Sequence, residues 1–285
     1  MENGTQCNTR QLLEEQGFSG LLMDGSHHNE SINLKEEYIS VHNILSLFAK
    51  YKVPRSFDVL SVDLDMFDWW VLERILNKGA YRPRMIVVEV NPTLGHYKDT
   101  DSGSFSHFNS VPLVVTHPQL TTQTYWDHSR YFGANPKAFQ LLGEMYGDYE
   151  MVYCESCGVN CFLVQQHLLP KSCRPPPPPH IPRPCYFHSR KDNSTAPGHA
   201  PDSLKRKPLL LTAELLTILD AYDSEQITED KMHAFVFRTD ENGNADETVI
   251  GSAKDAEPDE ETLNSGVLLA LHFLLFVFFL YYCCC

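Results

Sequence analysis

The chain has 285 residues, with 23 Lys and Arg against 37 Asp and Glu and a net charge of −14. That balance repels a polyanion and sets nucleic-acid binding aside. The length allows one good-sized core or two small ones, and the nine cysteines, an odd number, exclude a complete set of intramolecular disulfides.

Up to Pro170 helical and strand patterns alternate. Asn8 is placed to cap a short helix, "TRQLLEEQ", that stops at Gly17. "GLLMDG" follows as a buried strand closing on Asp24. "ISVHNILSLFAKY" has helical spacing at Ile39, Ile44, Leu47 and Phe48. "FDVLSVDLD" is the next strand, apolar on both faces until Asp63. Asp68 then caps "WWVLERILNKG", which ends at Gly79, and "RMIVVEVNP" is a third strand closed by Pro92. Asn135-Pro136 opens a helix with Ala138, Leu141, Leu142 and Met145 on one face. "YEMVYC" and "VNCFLVQQ", joined around Gly158, read as a hairpin. Strands apolar on both faces and separated by helices indicate an α/β fold of three layers, its sheet mostly parallel with an antiparallel hairpin at the end.

Charge divides the chain, with net −8 over 1–170, +6 over 171–211 and −12 over 212–265. The expected units are a domain over 1–170, a basic linker over 171–208, an acidic segment with short helices over 209–265, and an apolar run over 266–285. The linker contains "RPPPPPHIPRP", stiff and short of backbone donors, so it is expected to be disordered. It is a spacer or a ligand for SH3 or WW domains. "TAELLTILDAY" is expected as one amphipathic helix of a satellite helix pair. The run "GVLLALHFLLFVFFLYYCCC" has no formal charge and is long enough to span a bilayer, so the expected location is a membrane. Attachment is either a tail anchor with palmitoylated terminal cysteines, or a glycolipid signal with Gly251, Ser252 and Ala253 as its small residues. Sequons at Asn3, Asn29 and Asn193 fit a secretory route, whereas no signal peptide is expected ahead of them.

In an open parallel sheet ligands bind outside the carboxyl ends of the strands. Asp24, Asp63, Asp65, Glu89 and Asn91 all lie at or beside such ends, so folding is expected to gather them on one rim. Cys154, Cys157 and Cys161 have part of a zinc spacing but no fourth ligand, and no metal is expected on them. His27-His28 is expected in a loop. "TDENGNADETVIG" lacks the glycine and glutamate of a calcium loop. The stretch between Asn91 and Asn135 is long for a compact domain and is expected to form a substrate lid.

The blocks "NTRQLLEEQGFSGLLMDG", "FDVLSVDLDMFDWWVLERI", "YRPRMIVVEVNPTLG" and "YFGANPKAFQLLGEMYGDYEMVYCESCGVNCFLV" resemble, in order, the FkbM-type S-adenosylmethionine-dependent methyltransferases. The resemblance implies a Rossmann-like sheet. It assigns Gly4 and Asn8 to the first cofactor loop, Asp24 to the ribose, and Asp63 and Asp65 to the adenosyl and methionine portions of S-adenosylmethionine. Glu89 and Asn91 would face the reacting centre, and Asp65 would take a hydroxyl proton or hold a divalent metal. The family has a central strand before the first loop that "MENGTQCNT" does not supply, so the first strand is expected to be missing and a gap left beside the cofactor. Where the family has Asp-Gly, this chain has Asp65-Met66. Two functions follow as expectations: a membrane-attached methyltransferase acting on oxygen of a small molecule or glycan, or a non-catalytic binding or scaffold module on the same fold.

Overall fold

Alternating apolar strands and amphipathic helices build a mixed α/β domain. The computed structural model describes residues 8–91, 94, 111–118, 121, 125–129, 131–155, 159–170, 204, 208–212 and 215–217, and the backbone of 276–281. The elements in chain order are α1 (Arg10–Glu15), β1 (Ser19–Asp24), β2 (Leu34–Glu36), α2 (Ile44–Lys50), β3 (Ser56–Asp63), α3 (Asp68–Leu76), β4 (Arg82–Glu89) and β5 (Leu113–Val114). Then come α4 (Pro136–Tyr146), β6 (Tyr149–Cys154), β7 (Asn160–Gln165), β8 (Leu209–Leu210) and β9 (Phe276–Tyr281).

Seven strands form one sheet in the order β2-β1-β9-β3-β4-β7-β6. β1 pairs with β2 and β3 with β4 in parallel, while β9 runs antiparallel to both β1 and β3. β7 is antiparallel to β4 and to β6, closing the expected hairpin. Side chains alternate across the sheet. Leu21, Met23, Leu60, Val62, Ile86 and Val88 join the core beneath α2, α3 and α4. Leu22, Val59 and Val87 pack with Leu12 and Leu13 of α1 on the other side. The domain therefore has the expected three layers, with one thin face.

The helical face carries most of the burial. Trp69, Phe48, Ile44, Leu60 and Phe139 are all wholly buried, each contributing about 1.5–3 kcal/mol. The Trp69 indole N–H donates to the Ala138 carbonyl of α4, and the Trp70 indole to that of Val115, both at 3.0 Å. Asn135 caps α4 as expected: its Oδ1 accepts from the Ala138 N–H at 3.0 Å and also from Leu113, while its Nδ2 donates to the Val111 carbonyl.

Several expectations need correction. The second helix starts at Ile44 rather than near Ile39, because Ser40 and Asn43 bond to each other's backbone and close a turn there. Asp68 does not cap α3; its Oδ1 turns back to accept the Leu64 N–H at 2.6 Å. The start of the acidic segment is no satellite: β8 pairs with β5, and Leu209, Leu211 and Leu215 are buried in the main core. There the Thr212 hydroxyl accepts from the Leu215 N–H, as a helix start requires.

The largest departure concerns the apolar run 266–285. The gap expected for a missing first strand is filled, because residues 276–281 of that run form β9 and pair on both edges. The slot between β1 and β3 offers two rows of unpaired backbone groups, and an uncharged segment enters it at little desolvation cost. Among the described residues, no helix is long and apolar enough to cross a membrane. The basic linker with its proline tract, and the rest of the run, lie outside the described residues.

Candidate functional site

Three parallel strands end in acids on one edge of the sheet: β1 on Asp24, β3 on Asp63 and β4 on Glu89. From β1 the chain moves outward to β2, and from β3 it moves the opposite way to β4, so the order reverses around the slot of β9. Such a reversal opens a crevice at the carboxyl ends of open α/β sheets. Parity adds a second coincidence. Asp24 shares the face of Leu22, Asp63 that of Val59 and Glu89 that of Val87, so all three lie on the α1 side.

The turn after β3 brings further acids in. Asp65 is in the left-handed region at φ 60° and the Met66 N–H donates to the Leu64 carbonyl at 2.7 Å. The residue needing that conformation is thus Asp65, which tolerates it, and not Met66 where the expected glycine is absent. One oxygen each of Asp63, Asp65 and Glu89 lies within 4.8 Å of the others. These three side chains are partly exposed, whereas Asp68 is fully buried.

The electrostatics follow from that crowding. Burial, then the neighbouring Asp65 charge, pushes Asp63 up to about 7. Burial pushes Asp65 up to about 6. Asp68 is held well above the carboxylate range by burial and by Asp63, against the Leu64 N–H, which favours its charged form. Glu89 is raised likewise by burial and by Asp63, Asp68 and Asp65, and opposed by the backbone N–H of Asp65. Asp68 Oδ2 and Glu89 Oε2 are sealed from solvent and have no hydrogen-bond partner among the described residues.

Asp24 sits two strand spacings from Asp63, about 10 Å across the sheet. Its Oδ1 accepts from the Ser26 N–H at 2.7 Å and contacts His27 Nδ1 at 2.9 Å, while Oδ2 is buried without a partner. Asn8 lies over β3 and β7: its Nδ2 donates to Ser61 Oγ at 3.3 Å and to Asn160 Oδ1 at 3.4 Å, and Asn160 is the register partner of Glu89. Asn91 is buried, with its Nδ2 donating to the Phe132 carbonyl at 2.9 Å, so it anchors the returning chain. Gly4 lies outside the described residues.

The structure thus brings Asp63, Asp65 and Glu89 into one cluster, with Asn8 above and Asp24 further along the same edge. Sequence reasoning placed Asp68 with Asp63 and Asp65 at the end of the strand but read it as a helix cap, and it missed Ser61 and Asn160, which depend on strand pairing that no local pattern encodes.

Other expectations fall differently. In the described part of the lid stretch Val114, Val115, Tyr131 and Phe132 are buried, Val115 and Tyr131 pack against Met66 and Leu94, and Tyr125 is exposed. Cys154 and Cys161 are joined by a disulfide across β6 and β7, which removes them as zinc ligands. Two surface clefts, of about 370 and 800 Å³, share Asn77 and Tyr146 near the amino end of β4 and lie away from the acids. Comparison with protein-family models, with curated proteins and with solved structures found no match to this chain.

Proposed function

We propose that the chain is an S-adenosylmethionine-dependent methyltransferase acting on oxygen of a small molecule or glycan. The observation that carries this reading is the convergence of Asp24, Asp63 and Glu89 on one edge and one face, astride the reversal in strand order. The strand order supports a Rossmann-like methyltransferase sheet, with β9 in the slot of the central strand.

The residues present fit the cofactor. The partnerless Oδ2 of Asp24 is an acceptor in need of a donor, and a ribose hydroxyl supplies one. Asn8 carries an amide at the same rim, and Asp63 offers carboxyl oxygens that a cationic ligand would help to ionise. When bound, S-adenosylmethionine supplies an electrophilic methyl group. The chain's part is to hold that methyl in line with the acceptor oxygen, an alignment worth up to about 7–11 kcal/mol of barrier. Asp65, partly exposed and pushed to about 6, is the group suited to take the hydroxyl proton near neutral pH. Glu89, raised by burial and by the neighbouring acids, lies beside Asp65 at the reacting edge.

Membrane attachment enters the proposal as a second state of the run 266–285, in which it leaves the sheet for a bilayer. Flotation with liposomes tests it: co-flotation that requires the run supports attachment, and protein left in the dense fraction opposes it.

One observation favours the non-catalytic module instead: Asp24 is fully buried, with Ser26 and His27 closed on its Oδ1. Transfer of labelled methyl from S-adenosylmethionine to a panel of glycans and hydroxylated small molecules separates the two. Label in an acceptor that Asp65→Asn abolishes supports the enzyme; no transfer to any acceptor supports the module.

A further inference from the structure

We infer that Asp63, Asp65 and Glu89 form a binding site for one divalent cation of the hard, oxygen-seeking class, Mg²⁺, Mn²⁺ or Ca²⁺. The inference concerns the rim described above but does not rest on methyl transfer; it needs only the carboxylates.

Geometry comes first. Hard divalent ions hold oxygens at roughly 2.0–2.6 Å, so two ligands on one ion stand at most about 5 Å apart. The three carboxylates each present an oxygen within 4.8 Å of the other two. They come from the ends of two hydrogen-bonded strands and the tight turn after one of them, a rigid frame. All three are partly exposed, so an ion with its own waters has a way in.

The second observation is independent of that spacing. Asp68, fully buried and close enough to feel the charges of Asp63 and Asp65 and to act on Glu89, spends Oδ1 on the Leu64 N–H and leaves Oδ2 with no partner among the described residues. Glu89 Oε2 is likewise sealed and unpartnered. A buried carboxylate oxygen without a partner is costly, and an ion or an ordered water is the usual explanation. Among the described residues no Lys, Arg or His forms an ion pair with any of the four acids. Their mutual repulsion is relieved by protons or by a cation, and only the cation uses three converging oxygens at once. With an ion bound, Asp65 is a ligand and no longer a base.

The test is titration of the full chain with Mn²⁺ alone, followed by electron paramagnetic resonance and calorimetry, with Mg²⁺ and Ca²⁺ as competitors. The expected result is one ion per chain with a Kd between about 10 µM and 1 mM, weakened at least tenfold by Glu89→Gln and by Asp63→Asn. Asp58→Asn, which removes an acid paired with Arg84 at the other end of β3, leaves the affinity unchanged. Far-ultraviolet circular dichroism and binding of S-adenosylhomocysteine are recorded for each variant, so that misfolding and failure of the cofactor reading are seen separately. Absence of saturable Mn²⁺ binding by folded protein, or an affinity indifferent to both variants, overturns the site.

Discussion

Asp63 and Glu89, the last residues of two adjacent parallel strands, present carboxylate oxygens within 4.8 Å of each other on the same face of the sheet. Two acids so placed repel. Burial raises both; Asp65 adds to the effect on Asp63, and Asp63, Asp68 and Asp65 add to it on Glu89. Natural cores avoid such crowding unless a ligand relieves it, which is why the proposed site is put on this edge.

The repulsion predicts a stabilising substitution. Asp68→Asn keeps the acceptor for the Leu64 N–H, removes an acid whose ionisation burial and Asp63 oppose, and places an amide donor among the remaining carboxylates. In metal-free buffer at neutral pH the variant should gain about 1 kcal/mol, or about 2–4 °C in Tm. Asp68→Ala, which leaves the Leu64 N–H buried without an acceptor, should lose about 1–3 kcal/mol. Thermal unfolding by circular dichroism reads both.

Asn135 ties three segments together through one side chain, bonding α4, β5 and the Val111 carbonyl. Asn135→Ala should cost about 2–3 kcal/mol, the loss of a helix cap together with two other bonds. Asn135→Asp, which keeps both acceptor bonds but sets a buried carboxylate oxygen against the Val111 carbonyl, should recover little of that. Urea unfolding gives both values.

These two residues show where the sequence was legible. Asn135 stands before Pro136 and an apolar stripe, so its cap was readable from three neighbouring residues. Asp68 stands in an equally plausible capping place before "WWVLERIL", yet it bonds backward. What decided between them was the turn at Asp65, whose left-handed backbone brings Leu64 N–H under the carboxylate. The strands β1, β3 and β4 were legible because each is a continuous apolar run ended by an acid. β9 was not, because twenty uncharged residues suit a lipid bilayer or a central strand equally, and only pairing partners more than two hundred residues away choose between them. β2 and β5, of three and two residues, are too short to leave a periodic signal.

His117 makes the fold sensitive to acid. Its ring is buried edge-on to Trp70 at 4.7 Å, and burial, with the charges of His42 and Arg74, pushes it down to about 3. The unfolded chain therefore takes up a proton near pH 6.5 that the folded chain refuses until about 3. Stability from this residue is full above pH 6.5 and is lost as pH falls through the window between, by up to about 1.4 kcal/mol per pH unit. His117→Phe should flatten that limb, and urea unfolding at pH 6, 5 and 4 gives the two slopes.

β9 lies between β1 and β3, so its loss separates the sheet into two parts. Phe278→Pro removes a backbone donor in the middle of a strand paired on both edges, at Leu22 and Ser61. Amide hydrogen exchange should then accelerate at least tenfold over 20–23 and 59–62, while the β6–β7 hairpin keeps its protection. Unchanged exchange in both segments would show that the tail is not in the sheet.

The most direct measurement is calorimetric titration of the full chain with S-adenosylhomocysteine. A single site should appear, with affinity reduced at least tenfold by Asp24→Asn and unaffected by Glu36→Gln, an exposed acid at the end of β2. A correctly folded protein that gives no binding heat at any accessible concentration would contradict the cofactor reading.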